Sequence, residues 1–183
     1  MNSKLRLLVT EKCPNKCPLC CNKQFNMNDI PVVDRWNYEE VMITGGEPLA
    51  FPRKVRKLIR AIRHLNKLSG VGCKIYVYTS IANSHEFLDV LEEADGMVLA
   101  IHNIREARNF KKTNMLLLQK HWEYKDKSLR LKLFDEWKDF MPENLSLWDV
   151  RPTEWITDCP LPDGEDFRRV SELFVTDSNN SYF

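Results

Sequence analysis

No apolar run in this sequence is long enough to cross a bilayer. Its longest uninterrupted hydrophobic stretch is Met97–Ile101, against the roughly 20 residues that a spanning helix needs. A secretory leader pattern is also missing, because Met1 to Lys4 lead directly into a strand-like run. These absences predict a cytoplasmic, non-membrane protein, in which thiols stay reduced and a tight cysteine group holds metal in preference to disulfides. There is no internal repeat, low-complexity tract or linker, so residues 1–183 are expected to form a single domain. At 183 residues the chain falls short of the about 250 that a complete eight-stranded β/α barrel takes. Nor is there charge of one sign to speak of: 27 Lys+Arg face 26 Asp+Glu. A 43% hydrophobic fraction and a mean hydropathy of −0.43 exclude an extended disordered polymer.

The near-zero net charge hides an asymmetry. Residues 1–70 hold 13 Lys+Arg and 6 Asp+Glu, and most of that excess lies in Arg53–Lys67, which has no acid. Aromatic residues do not interleave with those charges. The simplest reading is therefore a solvated basic helix face, with nucleic-acid contact left open.

Along the chain, short apolar runs alternate with amphipathic helices. The pattern predicts strands at Leu5–Thr10, Glu40–Thr44, Ile75–Thr79, Gly96–Ile101 and Leu129–Phe134, and a weaker one at Leu145–Val150. Helices are expected at Pro52–Leu68, after the cap Asn83, and over Arg105–Trp122. Asn22–Tyr38 reads as irregular. Residues 151–183 read as a C-terminal extension with a short helix near Asp166–Phe174 and a frayed end. Alternating strands and helices imply βαβ units and a parallel sheet. The expected fold is thus α/β, a partial, open TIM-like β/α barrel of about six parallel strands. Right-handed crossovers put every strand-to-helix loop on one edge.

Chemistry concentrates in the loop at residues 11–22. Cys13, Cys17 and Cys20 follow the first strand at spacings that let three thiolates each bind a different iron of one cubic cluster, leaving a fourth iron open. The second strand ends in Gly45-Gly46-Glu47-Pro48. There the glycines permit close backbone approach, their N–H groups suit a carboxylate, and Glu47 could meet an ammonium. A zinc site using Cys21 as fourth ligand is the alternative, although adjacent Cys20 and Cys21 diverge and no second Cys-x2-Cys knuckle exists. On that reading of three ligands, Cys21 is left as a packed or free thiol. Cys73 and Cys159 stand alone in sequence.

With Cys13-x3-Cys17-x2-Cys20 and Gly45-Gly46-Glu47-Pro48 together, the chain resembles the radical S-adenosylmethionine superfamily over roughly residues 4–101. One departure is Leu19, where an aromatic residue usually precedes the third cysteine. The resemblance implies an iron–sulfur oxidoreductase. A 4Fe–4S cluster on the three cysteines would bind S-adenosyl-L-methionine and cleave it reductively to a 5′-deoxyadenosyl radical that abstracts hydrogen from a substrate. It implies that Gly45–Pro48 hold the methionine part, with Thr79, Ser80 and His102 at strand ends near the ribose or adenine. It also implies an external one-electron donor of flavodoxin or ferredoxin type. An open barrel suits a macromolecular substrate or a partner that closes it. The compact size and the Cys20-Cys21-Asn22 ending resemble the small activating proteins of glycyl-radical enzymes such as anaerobic ribonucleotide reductase, the enzymatic alternative. The non-enzymatic alternative is a zinc-stabilised binding module.

The fifth strand adds two residues. Leu129, Leu131 and Leu133 alternate with Arg130 and Lys132. If the leucines meet the helices, the two cations point to the other side and are expected to contact an anion of substrate or cofactor.

Overall fold

A computed structural model describes residues 3–70, 72–157 and 163–174. Seven strands form one all-parallel open sheet: β1 (Lys4–Leu8), β2 (Glu40–Thr44), β3 (Lys74–Thr79), β4 (Gly96–Ile101), β5 (Ser128–Phe134), β6 (Asp149–Thr153) and β7 (Glu165–Arg169). Their spatial order is β6-β5-β4-β3-β2-β1-β7. The last strand thus returns beside the first, and β6 and β7 are the two edges. Helices α1 (Pro52–Leu68), α2 (Ser84–Glu93), α3 (Ile104–Gln119) and the one-turn α4 (His121–Tyr124) fall between strands.

The period-two alternation of the strands decides the layering. One set of side chains, Leu5 and Leu7, Val41 and Ile43, Ile75 and Val77, Met97 and Leu99, Leu129, Leu131 and Leu133, is buried in a single core with Val55, Ile59 and Ile62 of α1, Phe87 of α2 and Phe110 of α3. The opposite set includes Arg6, Met42, Tyr76, Tyr78, Arg130 and Lys132, none of them fully buried. Near β1 this opposite face is covered by a small second cluster of Leu8, Met27 and Ile30, with Phe25 and Phe167 packed on it. The irregular stretch expected at 22–38 is thus a pad over one end of the sheet.

Helix starts follow capping chemistry. Asn83 Oδ1 accepts from His85 N (3.1 Å), and Asn103 Oδ1 from Glu106 N (3.0 Å). Pro52 takes the first position of α1, where its missing N–H leaves nothing unpaired.

Three expectations need correction. The stretch near Asp166–Phe174 is not a helix, because β7 occupies Glu165–Arg169. Two charge pairs hold it there, Arg6 Nε to Glu165 Oε2 (3.0 Å) and Arg35 to Asp166 (2.8 Å), with a hydrogen bond donated by Tyr38 Oη to Asp166 (2.7 Å). The sixth strand starts at Asp149, after Leu145, Leu147 and Trp148, which turn inward onto the helix-side core. Finally, the basic face of α1 is not simply solvated. Arg56 reaches Asp89 (3.8 Å) and Glu93 (3.4 Å), Arg60 pairs with Glu93, and Arg63 meets Asp95 (2.9 Å), so three of its cations join α1 to the end of α2. No helix among the described residues is long and apolar enough to cross a membrane.

Candidate functional site

The cysteine loop leaves the C-terminal end of β1, and Gly45–Pro48 leaves the C-terminal end of β2, its sheet neighbour. The two loops are tied through the main chain. Gly46 N donates to Thr10 O (2.5 Å) and Glu47 N to Lys12 O (2.8 Å). Glycine is required for this approach. A Cβ on Gly45 would sit 2.6 Å from Thr10 O, at a φ of +132° that side chains rarely adopt. A Cβ on Gly46 would overlap the Lys12 carbonyl and stand 2.7 Å from Glu11 O. The glycine pair therefore accommodates the root of the cysteine loop, and the Gly46 N–H, one of the two expected to greet a carboxylate, is bonded to the chain itself. Asn22 Nδ2, just past the cysteines, donates to the Gly45 carbonyl and fastens the other end of the loop.

Glu47 is only 1% exposed. Its Oε1 accepts from Leu49 N (2.9 Å) and Thr79 Oγ1 (2.7 Å), and its Oε2 from Ser80 N (2.8 Å) and Ser80 Oγ (2.7 Å). Burial raises its pKa, opposed by those same hydrogen bonds. Four donors occupy the usual acceptor positions of a carboxylate. Glu47 thus acts as a clasp between the ends of β2 and β3, with Thr79 and Ser80 as its partners. Pro48 is buried beside it and opens a short 3-10 turn into α1.

Asn15, within the cysteine loop, extends this network: its Nδ2 donates to Ser80 Oγ (2.7 Å), and its Oδ1 accepts from Asn103 Nδ2 (3.1 Å). Asn15 and Asn103 were not singled out in the sequence. An Asn beside Pro14 reads as a turn residue, and only the fold brings it to β3 and α3.

Cys13, Cys17 and Cys20 carry free, partly buried thiols. Burial raises Cys13 to a pKa of about 11 and raises Cys17 as well; Glu47 and the neighbouring cysteines push in the same direction. Cys21 is engaged in a disulfide, which corrects the expectation of a packed or free thiol. Adjacent side chains diverge, so Cys21 leaves the set at the start of a short 3-10 turn. Cys73 is a partly buried free thiol, while Cys159 lies outside the described residues. Among the described residues no group of three or more Cys, His, Asp or Glu side chains is gathered closely enough to hold one metal ion. An iron–sulfur cluster asks something different of the loop, one thiolate per iron.

His102, at the end of β4, places Nδ1 3.3 Å from Cys17 Sγ. Its ring packs on Phe134 (5.4 Å between centroids) and Trp155 (5.2 Å), which stack on each other at 4.3 Å. Burial, helped by the Lys132 charge, lowers its pKa to about 4 and keeps the imidazole neutral. Trp155 and Phe134 are further residues that the sequence reading did not single out. His64, His85 and His121 are exposed on helices, as expected. Leu19, just before the third cysteine, is 39% exposed.

The structure therefore brings Cys13, Cys17, Cys20, Gly45–Pro48, Thr79, Ser80 and His102 to the end of the sheet formed by the C-termini of β1–β4. Arg130 and Lys132 lie lower, on the face opposite the helices. No family model, curated protein or solved structure matches the chain.

Proposed function

We propose that the chain is a radical S-adenosylmethionine enzyme on an abbreviated β/α barrel. The observation that carries this reading is the junction at the C-terminal ends of β1 and β2. There a loop with three free thiols at x3 and x2 spacing packs directly against a Gly-Gly-Glu-Pro turn. The donor set fits a cluster with one unclaimed iron: Cys13, Cys17 and Cys20 would hold it, while Cys21 is occupied elsewhere. When bound, such a cluster supplies the electron that splits S-adenosylmethionine to a 5′-deoxyadenosyl radical, with a flavodoxin- or ferredoxin-type donor behind it.

The chain's own residues divide the remaining work. Glu47, held by four donors, fixes the turn rather than meeting the methionine ammonium, so amine contact falls to the main chain of Gly45–Pro48. Asn15 and Ser80 lock the cysteine loop to β3. The neutral His102 ring, with Phe134 and Trp155, forms an aromatic wall on one side of Cys17. Among the described residues the outer edge of β6 is uncovered and leaves room for a macromolecular substrate or a closing partner, whereas the outer edge of β7 is bridged by Pro31–Val33.

Anaerobic reconstitution tests the reading. The protein should turn brown, hold about four irons, and release 5′-deoxyadenosine and methionine when dithionite and S-adenosylmethionine are added. Cys13→Ala, Cys17→Ala or Cys20→Ala should abolish the cleavage, and Cys21→Ala should not. A colourless protein with a single zinc, or a stable cluster that never cleaves the cofactor, would sink it.

A further inference from the structure

The face of the sheet opposite the helices has a feature that the cofactor reading does not use. On this face β4 presents only Gly96, Val98 and Ala100, between tyrosines on β3 and cations on β5. These small side chains form a low path. Arg130 reaches across it to lie over the Tyr76 ring (5.5 Å to the centroid), and Lys132 does the same over Tyr78 (5.5 Å). Gly96 is needed here, because a Cβ would overlap the Ser128 carbonyl of β5.

Charge on this face is unbalanced. Arg6 has Glu165 at 3.0 Å, and Arg151 has Asp149 at 2.6 Å. Asp149 lies opposite Arg130 in register yet gives its carboxylate to Arg151. Among the described residues Arg130 and Lys132 have no carboxylate within ion-pair distance; each lies over a tyrosine ring, and Asp149 feels the Arg130 charge only at longer range. Two half-buried cations without a directly paired counter-charge are costly to maintain. Lys132 registers that cost, since burial and then the like charges of Arg6 and Arg151 lower its pKa.

We infer that Arg130 and Lys132 are a site for a phosphate monoester carried by a small-molecule substrate. The surplus of two positive charges matches the roughly −1.5 to −2 of a monoester at neutral pH, whereas a carboxylate or a nucleic-acid diester brings one negative charge. The arginine fork takes two phosphate oxygens, and the lysine adds a point charge. The ester's organic part would extend toward the strand ends, where His102 sits one position beyond β4. Assigning this anion to the substrate rests on the preceding functional reading; the capacity to bind a phosphate monoester does not.

The test is calorimetric titration of the full chain with ribose 5-phosphate, using ribose and acetate as controls. Ribose 5-phosphate should bind, ribose should not, and acetate should bind at least tenfold more weakly. Arg130→Met and Lys132→Met should each weaken ribose 5-phosphate binding at least tenfold, while Lys57→Gln, on exposed α1 surface, should leave it unchanged. Circular dichroism checks each variant's fold. If Arg130→Met does not fold, Lys132→Gln alone carries the comparison. Equal binding of acetate, or binding that survives in a folded Arg130→Met/Lys132→Met double variant, would overturn the assignment. So would failure of ribose 5-phosphate to bind a protein that cleaves S-adenosylmethionine. Phosphate binding by a protein that never cleaves the cofactor supports the anion site and removes only the preceding reading.

Discussion

The two faces of the sheet are made by alternate residues of the same strands, yet they solve different problems. On the helix side Leu129, Leu131 and Leu133 enter one continuous core with α1, α2 and α3. On the other side Arg130 and Lys132, interleaved with them, rest on tyrosine rings and have no ion-pair partner among the described residues. The first face supplies stability through burial, and the second keeps charge available at some cost to stability. A strand can therefore be strictly periodic and still carry two separable functions, and the faces should respond differently to substitution.

The widest contrast is expected within β5. Leu131→Ala should destabilise the fold by about 2–5 kcal/mol, as for other fully buried leucines. Its neighbour Lys132→Met should change stability by less than about 1 kcal/mol, and in the stabilising direction. A lysine whose pKa is lowered on folding gives up stability at neutral pH, and the methionine has no charge to desolvate. Urea denaturation of the two variants measures the difference; equal losses would erase the distinction between faces.

Next comes the junction of the two loops. Gly46→Ala forces a methyl group onto the Lys12 carbonyl and should cost about 3 kcal/mol, or displace the cysteine loop. Gly70→Ala, at φ +68° in open space, should cost about 1 kcal/mol. Thermal unfolding, with iron retention after reconstitution, separates loss of stability from loss of the loop. Glu47→Gln should cost about 1–3 kcal/mol, because the amide nitrogen brings a donor where a hydroxyl and main-chain N–H groups already donate.

The smallest effect belongs to the helix surface. Arg60 and Arg56 lower the pKa of Glu93, so this carboxylate stabilises the fold at neutral pH and loses that contribution as pH falls through its lowered value. Glu93→Gln should lower stability by less than about 1 kcal/mol at pH 7, and the gap to wild type should narrow as pH falls below the ordinary glutamate range. A constant gap across that range would mean that charge is not what joins α1 to α2.

What could be read in advance follows the same division. β2 and α1 were legible to the residue because burial on the helix side imposes a hydrophobic period, and β4 because it is a continuous apolar run buried on both faces. β7 was not, since Glu165-Asp166-Phe167-Arg168-Arg169 has no apolar alternation and is held by pairs with Arg6, Arg35 and Tyr38, all more than 120 residues away. β6 was misplaced because Leu145, Leu147 and Trp148 are apolar for the sake of the core rather than of a strand. At the site, the cysteines and glycines were visible as local motifs. Asn15 was invisible, because its meaning lies in Ser80 and Asn103. Glu47 was visible, but its role was read outward toward a ligand. Sequence spacing cannot show that Thr79 and Ser80 already fill its oxygens.

The return of β7 to β1 also sets an order of events during synthesis. Residues 4–44 can form a two-stranded parallel pair early, but the outer edge of β1 meets its partner only when Glu165 emerges, 159 positions after the arginine it pairs with. At roughly 5–20 residues per second, that edge is uncovered for on the order of ten seconds on the ribosome. Until then the row of unpaired main-chain groups on Lys4–Leu8 is a template for any passing strand. Yield from rapid expression should therefore depend more on temperature and chaperone supply than the stability of the finished sheet would suggest.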